Sequence, residues 1–310
     1  LFGPIMAATQ KAMVTSTALF AEDQLSLTDQ LKLIVGFRHD HIDLTRELFD
    51  TSGVLNTTSS FSRSFNPTTW RTGLVYDVLP QITLYGQYAT AADPAASNIC
   101  LVTRQESFAL ATGAQWEVGA KGDFWNKRAE WTVAYFNIFR KNILTQTSLT
   151  EAINVGRQSS KGVELSMGVR PTEAWRVQGN LTFLSAKFDD FAELSGGNLV
   201  SRTGNRPFNV PQAMANVWSI YRLPTAVSVD LGAALRYVGD RYNDASNAIR
   251  MHAYMTADVW MTVPYKNLSF TLRGRNLFDK TYASGGGEGD LSEVIIGSPR
   301  TVELSLMARF

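Results

Sequence analysis

His39 and His41 stand two residues apart, a spacing that puts both imidazoles on one face of a β-strand, where a pair can begin a metal site. Completing such a site is difficult, because His252 is the only other histidine and Cys100 the only cysteine. The pair therefore reads as a solvated strand end. Asp189-Asp190 could offer oxygens to calcium at the base of a loop, but an ordinary acidic loop is the better reading. The run Gly285-Gly286-Gly287-Glu288-Gly289 has glycines in number but lacks the Lys-Ser/Thr of a phosphate loop. A nucleophile–base pair has few places to sit, so catalysis is not expected. What the chain does carry is charge in alternation with apolar residues. Glu164, Asp230, Arg236, Asp258, Arg273, Arg275, Glu303 and Arg309 all lie in such stretches.

The elements that hold these residues follow from composition and period. With 29 basic and 28 acidic residues the formal charge is +1, which argues against a nucleic-acid binder. One cysteine in 310 residues rules out an internal disulfide framework. The chain opens Leu1-Phe2-Gly3-Pro4 with no basic-then-apolar leader, as expected after processing or from a start partway through a longer protein. No stretch approaches the ~18 apolar residues of a membrane-spanning helix, so a membrane could be crossed only by a closed barrel.

Period-two alternation recurs down the whole length. In the last segment Val302, Leu304, Leu306, Ala308 and Phe310 share one face; Thr301, Glu303, Ser305, Met307 and Arg309 share the other. Val229–Asp240 and the stretches around Val163–Arg170 and Ser269–Arg275 repeat the pattern. About thirteen such strands are expected. Their connections alternate between tight turns, such as Asn126-Lys127 and Lys266-Asn267, and long polar links. The long links fall near Leu44–Thr68, Thr90–Gly113, Asn142–Gln158, Asp189–Asn209, Arg241–Ala253 and Tyr282–Pro299. Phe124, Trp125, Trp131, Trp175, Tyr221 and Tyr265 gather at the tight turns, where an interfacial girdle belongs. The tight turns recur at a spacing near that of propeller blades, but two long strands per period and no blade signature disfavour that fold. A soluble sandwich would have more even loops at its two ends. The expected fold is all-β, an antiparallel transmembrane β-barrel. An odd strand count starting outside the membrane implies that earlier strands of the barrel are missing.

Several runs resemble one family. Gly274-Arg275-Asn276-Leu277-Phe278-Asp279-Lys280-Thr281-Tyr282 is similar to the "NLFDKxY" strand of TonB-dependent outer-membrane receptors. So are Trp116-Glu117-Val118-Gly119-Ala120-Lys121, Ser160-Lys161-Gly162-Val163-Glu164-Leu165, Gly297-Ser298-Pro299-Arg300-Thr301 and, near the start, Glu22-Asp23-Gln24. Gly204-Asn205 with Pro207, Asn209, Val210 and Pro211, and Arg236-Tyr237-Val238-Gly239-Asp240-Arg241-Tyr242, resemble its ferric-siderophore branch. The matches stand in family order from Glu22 to the terminus.

The resemblance implies that residues 1–310 are the C-terminal portion of a barrel of ~22 strands, without the plug domain that precedes it. It implies an outer-membrane receptor of a Gram-negative bacterium that imports ferric siderophores, energised through TonB by way of the plug. A bulky chelate with carbonyl and charged edges suits aromatic walls and Arg donors. The loop-borne candidates are Trp70, Arg104, Arg157, Arg206, Phe208, Arg241, Tyr242, Arg250 and Tyr282. Loop packing and an outer girdle account for such residues too. No cofactor is expected, since the iron arrives chelated. The charged rows would face the lumen, pairing with one another and with a polar plug or lining the substrate path. Outer-membrane lipid is the partner of the apolar rows. The terminal strand ending at Phe310 resembles the signal read by the barrel-assembly machinery. A passive porin and an outer-membrane enzyme are the alternatives.

Overall fold

The structure, a computed structural model, describes residues 9–58, 60–93, 109–146, 152–225, 227–286 and 294–309. Strands β1 (Thr9–Ser26) and β2 (Leu31–Phe49) form the first hairpin, and the short β3 (Phe61–Phe65) folds back on the far end of β2. Up-and-down strands follow: β4 (Thr68–Leu79), β5 (Ile82–Asp93), β6 (Ala111–Phe124), β7 (Ala129–Gln146), β8 (Ala152–Thr172) and β9 (Trp175–Asp190). A small hairpin, β10 (Ala192–Ser195) with β11 (Asn198–Ser201), precedes β12 (Ala213–Leu223) and β13 (Val229–Val238). The two-residue β14 (Arg241–Tyr242) and β15 (Arg250–Met251) pair within the next loop, before β16 (Tyr254–Tyr265) and β17 (Leu268–Arg275). A last loop hairpin, β18 (Ala283–Gly286) with β19 (Val294–Ile296), leads to β20 (Thr301–Ala308).

Thirteen of these strands make one continuous antiparallel wall, β1-β2-β4-β5-β6-β7-β8-β9-β12-β13-β16-β17-β20. The count agrees with the alternation in the sequence. Among the described residues no helix occurs, and β1 and β20 each have a partner on one side only.

Register turns the alternation along each strand into rows across the wall, because directly paired residues face the same side. Leu304, Leu272, Met261, Leu231, Tyr221 and Trp175 form one such row over six strands. All are 40–77% exposed, so this row is no protein interior. On the other face, Asp77, Thr83, Lys121, Thr132, Ser166, Asn180, Asn216, Arg236 and Thr256 line up across nine strands. Leu44 is the one large side chain fully buried among the described residues. A sheet this size with only a small buried cluster around Leu44 and scattered buried apolar side chains among the described residues, and with a whole face of exposed Leu, Val, Met and Phe, requires a non-aqueous partner for that face.

Two aromatic belts bound the apolar face. Phe124, Trp131, Trp175, Tyr221 and Tyr265 lie near the tight turns, as expected from the sequence. A second belt towards the long loops joins Trp70 to Tyr88, 5.1 Å between ring centroids, and Trp116 to Tyr135, 5.3 Å. Tyr88 and Trp116 pair across β5 and β6 and connect the two. The turns that close the hairpins are tight enough to need left-handed backbone: Asn126 and Lys266 have φ of 52° and 54°.

The strands outrun the sequence pattern. β2 continues to Phe49, β7 to Gln146, and β8 begins at Ala152, so much of the expected links Leu44–Thr68 and Asn142–Gln158 is strand. Past the aromatic belt both faces meet water, and the backbone ladder continues without any demand for alternating polarity.

Candidate functional site: the interlocked loop rim

Three long connections meet at the rim opposite the tight turns: 202–212 before β12, 239–253 between β13 and β16, and the described parts, 276–286 and 294–300, of the link between β17 and β20. Asparagines join them by imitating backbone pairing. Asn209 donates from Nδ2 to the Gly286 carbonyl at 3.2 Å and accepts the Gly286 N–H at 2.9 Å. Asn247 does the same with Arg206, accepting its N–H at 2.9 Å and donating to its carbonyl at 2.8 Å. Asn205 Nδ2 reaches the Ala245 carbonyl at 2.9 Å. Asn209 and Asn247 adopt φ of 60° and 61°, a left-handed conformation that Asn tolerates better than most residues.

Two arginines complete the assembly. Arg241, 3% exposed, donates to the Ala283 carbonyl at 2.5 Å and lies 5.5 Å from the Tyr254 ring centroid. Tyr254 in turn stacks on Tyr282 at 4.1 Å. Arg206 donates to the Asp240 carbonyl at 3.1 Å and sits 5.3 Å from the Tyr242 ring. Cation–π contact of this kind suits a desolvated guanidinium. Asn276 anchors the third connection: its N–H bonds Asp258 at 2.9 Å, and its side chain holds the Lys280 N–H and the Lys280 and Ser298 carbonyls. The runs that resemble the family, Gly204–Pro211 and Gly274–Tyr282, thus supply much of the loop fastening.

Of the candidate ligand contacts, the fold brings together Arg206, Phe208, Arg241, Tyr242, Arg250 and Tyr282 in this rim. Arg206 and Arg241 are engaged in fastening loops, and Arg250 pairs with Asp240. Phe208, Tyr242 and Tyr282 are half-buried. Trp70 and Arg157 stand apart from the rim loops, on rows of the apolar face. Trp70 packs on Tyr88 in the second belt, and Arg157 pairs with Asp190 at 3.3 Å. Arg104 and the glycine run from Gly287 onward lie outside the described residues. Asn205, Asn209 and Asn276 stand in the runs that resemble the family, but their fastening role, and Asn247 altogether, escaped the sequence reading, since polar loop residues have no period; their one local signal is an affinity for left-handed turns.

The other candidates have local partners. His39 Nδ1 meets Thr68 Oγ1 at 2.9 Å, His41 meets Asn66 and Asp43, and Asp189 accepts from Ser159 and pairs with Lys187. On the polar face, Asp230 accepts from Nε and Nη2 of Arg222 at 2.7 and 3.0 Å, and Glu303 pairs with Arg275 at 3.1 Å. Arg273 lies 5.6 Å from the Trp260 ring.

The rim also carries an acid-sensitive joint. The Arg250 guanidinium and the Ala253 N–H hold the Asp240 carboxyl below the usual carboxylate range, against a smaller opposing effect of burial. A folded-state value below the unfolded one contributes stability that is present above the ordinary carboxylate pKa and lost as pH falls through the depressed value. Hydrogen exchange in 240–253, corrected for its intrinsic pH dependence, should therefore rise as pH is lowered from about 7 to about 3. In Asp240→Asn it should already be raised at neutral pH and change less on acidification. An unaltered profile in the variant would remove Asp240 from the joint.

Known proteins bear on this architecture. The family model described as TonB dependent receptor-like, beta-barrel matches residues 3–277. The probable TonB-dependent siderophore receptor PiuA of Acinetobacter baumannii is 25% identical over 283 residues, covering 87% of this chain and 38% of that protein. The metal-pseudopaline receptor CntO of Pseudomonas aeruginosa is 26% identical over 307 residues, covering 96% of this chain and 41% of its own length. The crystal structure of the siderophore receptor PiuA from Acinetobacter baumannii superposes with a TM-score of 0.81 at 23% identity, over 96% of this chain and 43% of that one. The chain thus spans about two fifths of the length of these relatives. Wall, belts and rim loops are those of a transmembrane barrel, and the family match covers most of them: the chain belongs to the β-barrel family of TonB-dependent receptors.

Proposed function

We propose that this chain forms part of an outer-membrane receptor that captures ferric siderophores and imports them with energy supplied through TonB. The observation that carries the reading is the rim: three loops fastened into one body, with Phe208, Tyr242 and Tyr282 half-buried among arginines, above a wall whose other face suits lipid. Aromatic surface beside cationic donors fits a chelate with flat, partly charged edges. That two relatives are named as receptors for siderophores or metal–pseudopaline supports the same ligand class.

In this reading the iron is cargo and keeps its own chelator. The polar wall, with its Arg222–Asp230 and Arg275–Glu303 pairs, faces the lumen and a plug that precedes the barrel and contacts TonB. The terminal strand would serve the barrel-assembly machinery through Phe310, a residue outside the described ones. Outer-membrane localisation follows from the same proposal.

The test is uptake of ferric siderophores by the complete gene product, in Gram-negative cells lacking their own receptors. Accumulation of labelled iron is expected with TonB present and only background without it. A Phe208→Ala, Tyr242→Ala variant should weaken uptake about tenfold at limiting ligand, as loss of two aromatic contacts implies. Passive ion conductance with no dependence on TonB would overturn the reading in favour of a porin.

A further inference from the structure

From the second aromatic belt outward the apolar face turns cationic. Three successive rows on β6 to β9 read Trp116–Asn137–Lys161–Ser185, then Ala114–Phe139–Ser159–Lys187, then Thr112–Lys141–Arg157–Asp190. Four cations therefore stand on neighbouring strands of one face, and Lys141, Arg157, Lys161 and Lys187 are all exposed. Asp189 pairs with Lys187 and Asp190 with Arg157. Lys141 and Lys161 form no ion pair among the described residues. Nearer the turns the same face of these strands is uncharged: Trp131, Val133 and Tyr135 on β7, Val163 to Val169 on β8, Val177 to Phe183 on β9.

The height of the patch is set by strand geometry. Ten residues separate Trp131, in the belt by the turns, from Lys141, about 33 Å along the strand and roughly 25 Å across a bilayer at the usual barrel tilt. That is one hydrocarbon thickness, so Lys141 and the paired Arg157 sit at headgroup level, with Lys187 one row below; Lys161, level with Asn137 beside the belt, reaches up to it with its long side chain. Beside them runs a groove of about 710 Å³ whose lining includes Trp70, Tyr88, Phe139, Lys141 and Arg157. Its floor is aromatic and its lip is cationic.

We propose that this patch binds the phosphates of an anionic glycolipid in the outer leaflet, its acyl chains lying along the Trp70–Tyr88–Phe139 groove. The proposal rests on the outer-membrane reading above, which puts the long loops outside. It gives Trp70 and Arg157 a lipid-facing role in place of contact with the transported chelate. Phosphate suits the site because two lysines four strand residues or one strand step from an arginine can share several anionic oxygens. A free anion would leave the apolar groove unused, and phospholipids of the inner, periplasmic leaflet lie at the opposite aromatic belt.

The experiment uses the complete gene product, purified from outer membranes into nanodiscs, and native mass spectrometry of the lipid that stays bound. Probes are lipid A with its phosphates, lipid A stripped of them, and phosphatidylcholine. The wild-type protein should retain the phosphorylated form at least tenfold over the other two. Lys141→Gln with Lys161→Gln should reduce that preference more than tenfold, at about fivefold per cation near an anionic surface. Lys141→Arg with Lys161→Arg should keep it, and Lys127→Gln with Lys266→Gln, at the turns, should leave it unchanged. Equal retention of the two lipid A forms by wild-type protein would overturn the inference whether or not the variants insert. Displacement by inorganic phosphate irrespective of acyl chains would also overturn it. Siderophore uptake by wild-type protein that shows no preference for phosphorylated lipid A would sink this inference alone, whereas absent uptake would sink the reading beneath it.

Discussion

Leu272→Arg should destabilise the barrel in a bilayer by about 2–4 kcal/mol, a roughly 30- to 900-fold shift of the folding equilibrium. Leu272 lies in the apolar row between Leu304 and Met261 and is 46% exposed, so nothing in the protein shields a guanidinium placed there. On β17 its flanking neighbour Thr271 points to the opposite face, where its hydroxyl meets that of Thr262 at 3.0 Å. Thr271→Arg would meet polar surroundings and should cost less than about 1 kcal/mol, the lost hydroxyl contact included. Equilibrium urea unfolding from lipid vesicles, followed by gel mobility, separates the two. Equal losses at positions 271 and 272 would mean that the wall does not divide lipid from water, and the membrane orientation would fall with it.

On the proposed function, Arg241→Met should lower affinity for a ferric siderophore about 10- to 100-fold while leaving the unfolding transition of the barrel nearly unchanged. The buried guanidinium holds the Ala283 carbonyl and supports the Tyr254–Tyr282 stack, the link between the second and third rim loops. A hydrogen bond from a charged donor contributes about 1.5–3 kcal/mol, and a desolvated cation–π contact about 2 kcal/mol, not additively. Freed of that link, the loop bearing Tyr282 must be ordered by the ligand, and the ordering cost appears as lost affinity. Arg241→Lys keeps the charge but not the planar group over the ring, so an intermediate loss is expected. Hydrogen exchange at 282–286 should rise in step with the weakening. Faster exchange with unaltered affinity would show that the fastened loops do not hold the ligand.

Much of this molecule was legible before folding because a barrel wall is written one residue at a time. Each side chain on a spanning strand meets either lipid or the polar interior, and the requirement alternates with period two. Thirteen strands, the turn end, the turn-side girdle and the outward row of Val302, Leu304 and Leu306, 62–77% exposed, followed from that rule alone. Where both faces meet water the rule lapses, which is why β2, β7 and β8 extend past the reading. The face that an individual loop-side residue occupies was equally hidden, so Trp70 and Arg157 were grouped with the rim although the register places them on the apolar side.

The rim itself belongs to the tertiary structure. Asn209 and Gly286 are 77 residues apart, and Arg206 and Asn247 are 41 apart. A loop asparagine bonds a distant backbone only after the wall has brought the two strand ends together, and its own neighbours carry no trace of that partner. Composition and alternation therefore determine the wall, which answers to the solvent on each side. Contact between loops answers to strand order and register, and those exist only once the sheet has closed its hydrogen bonds.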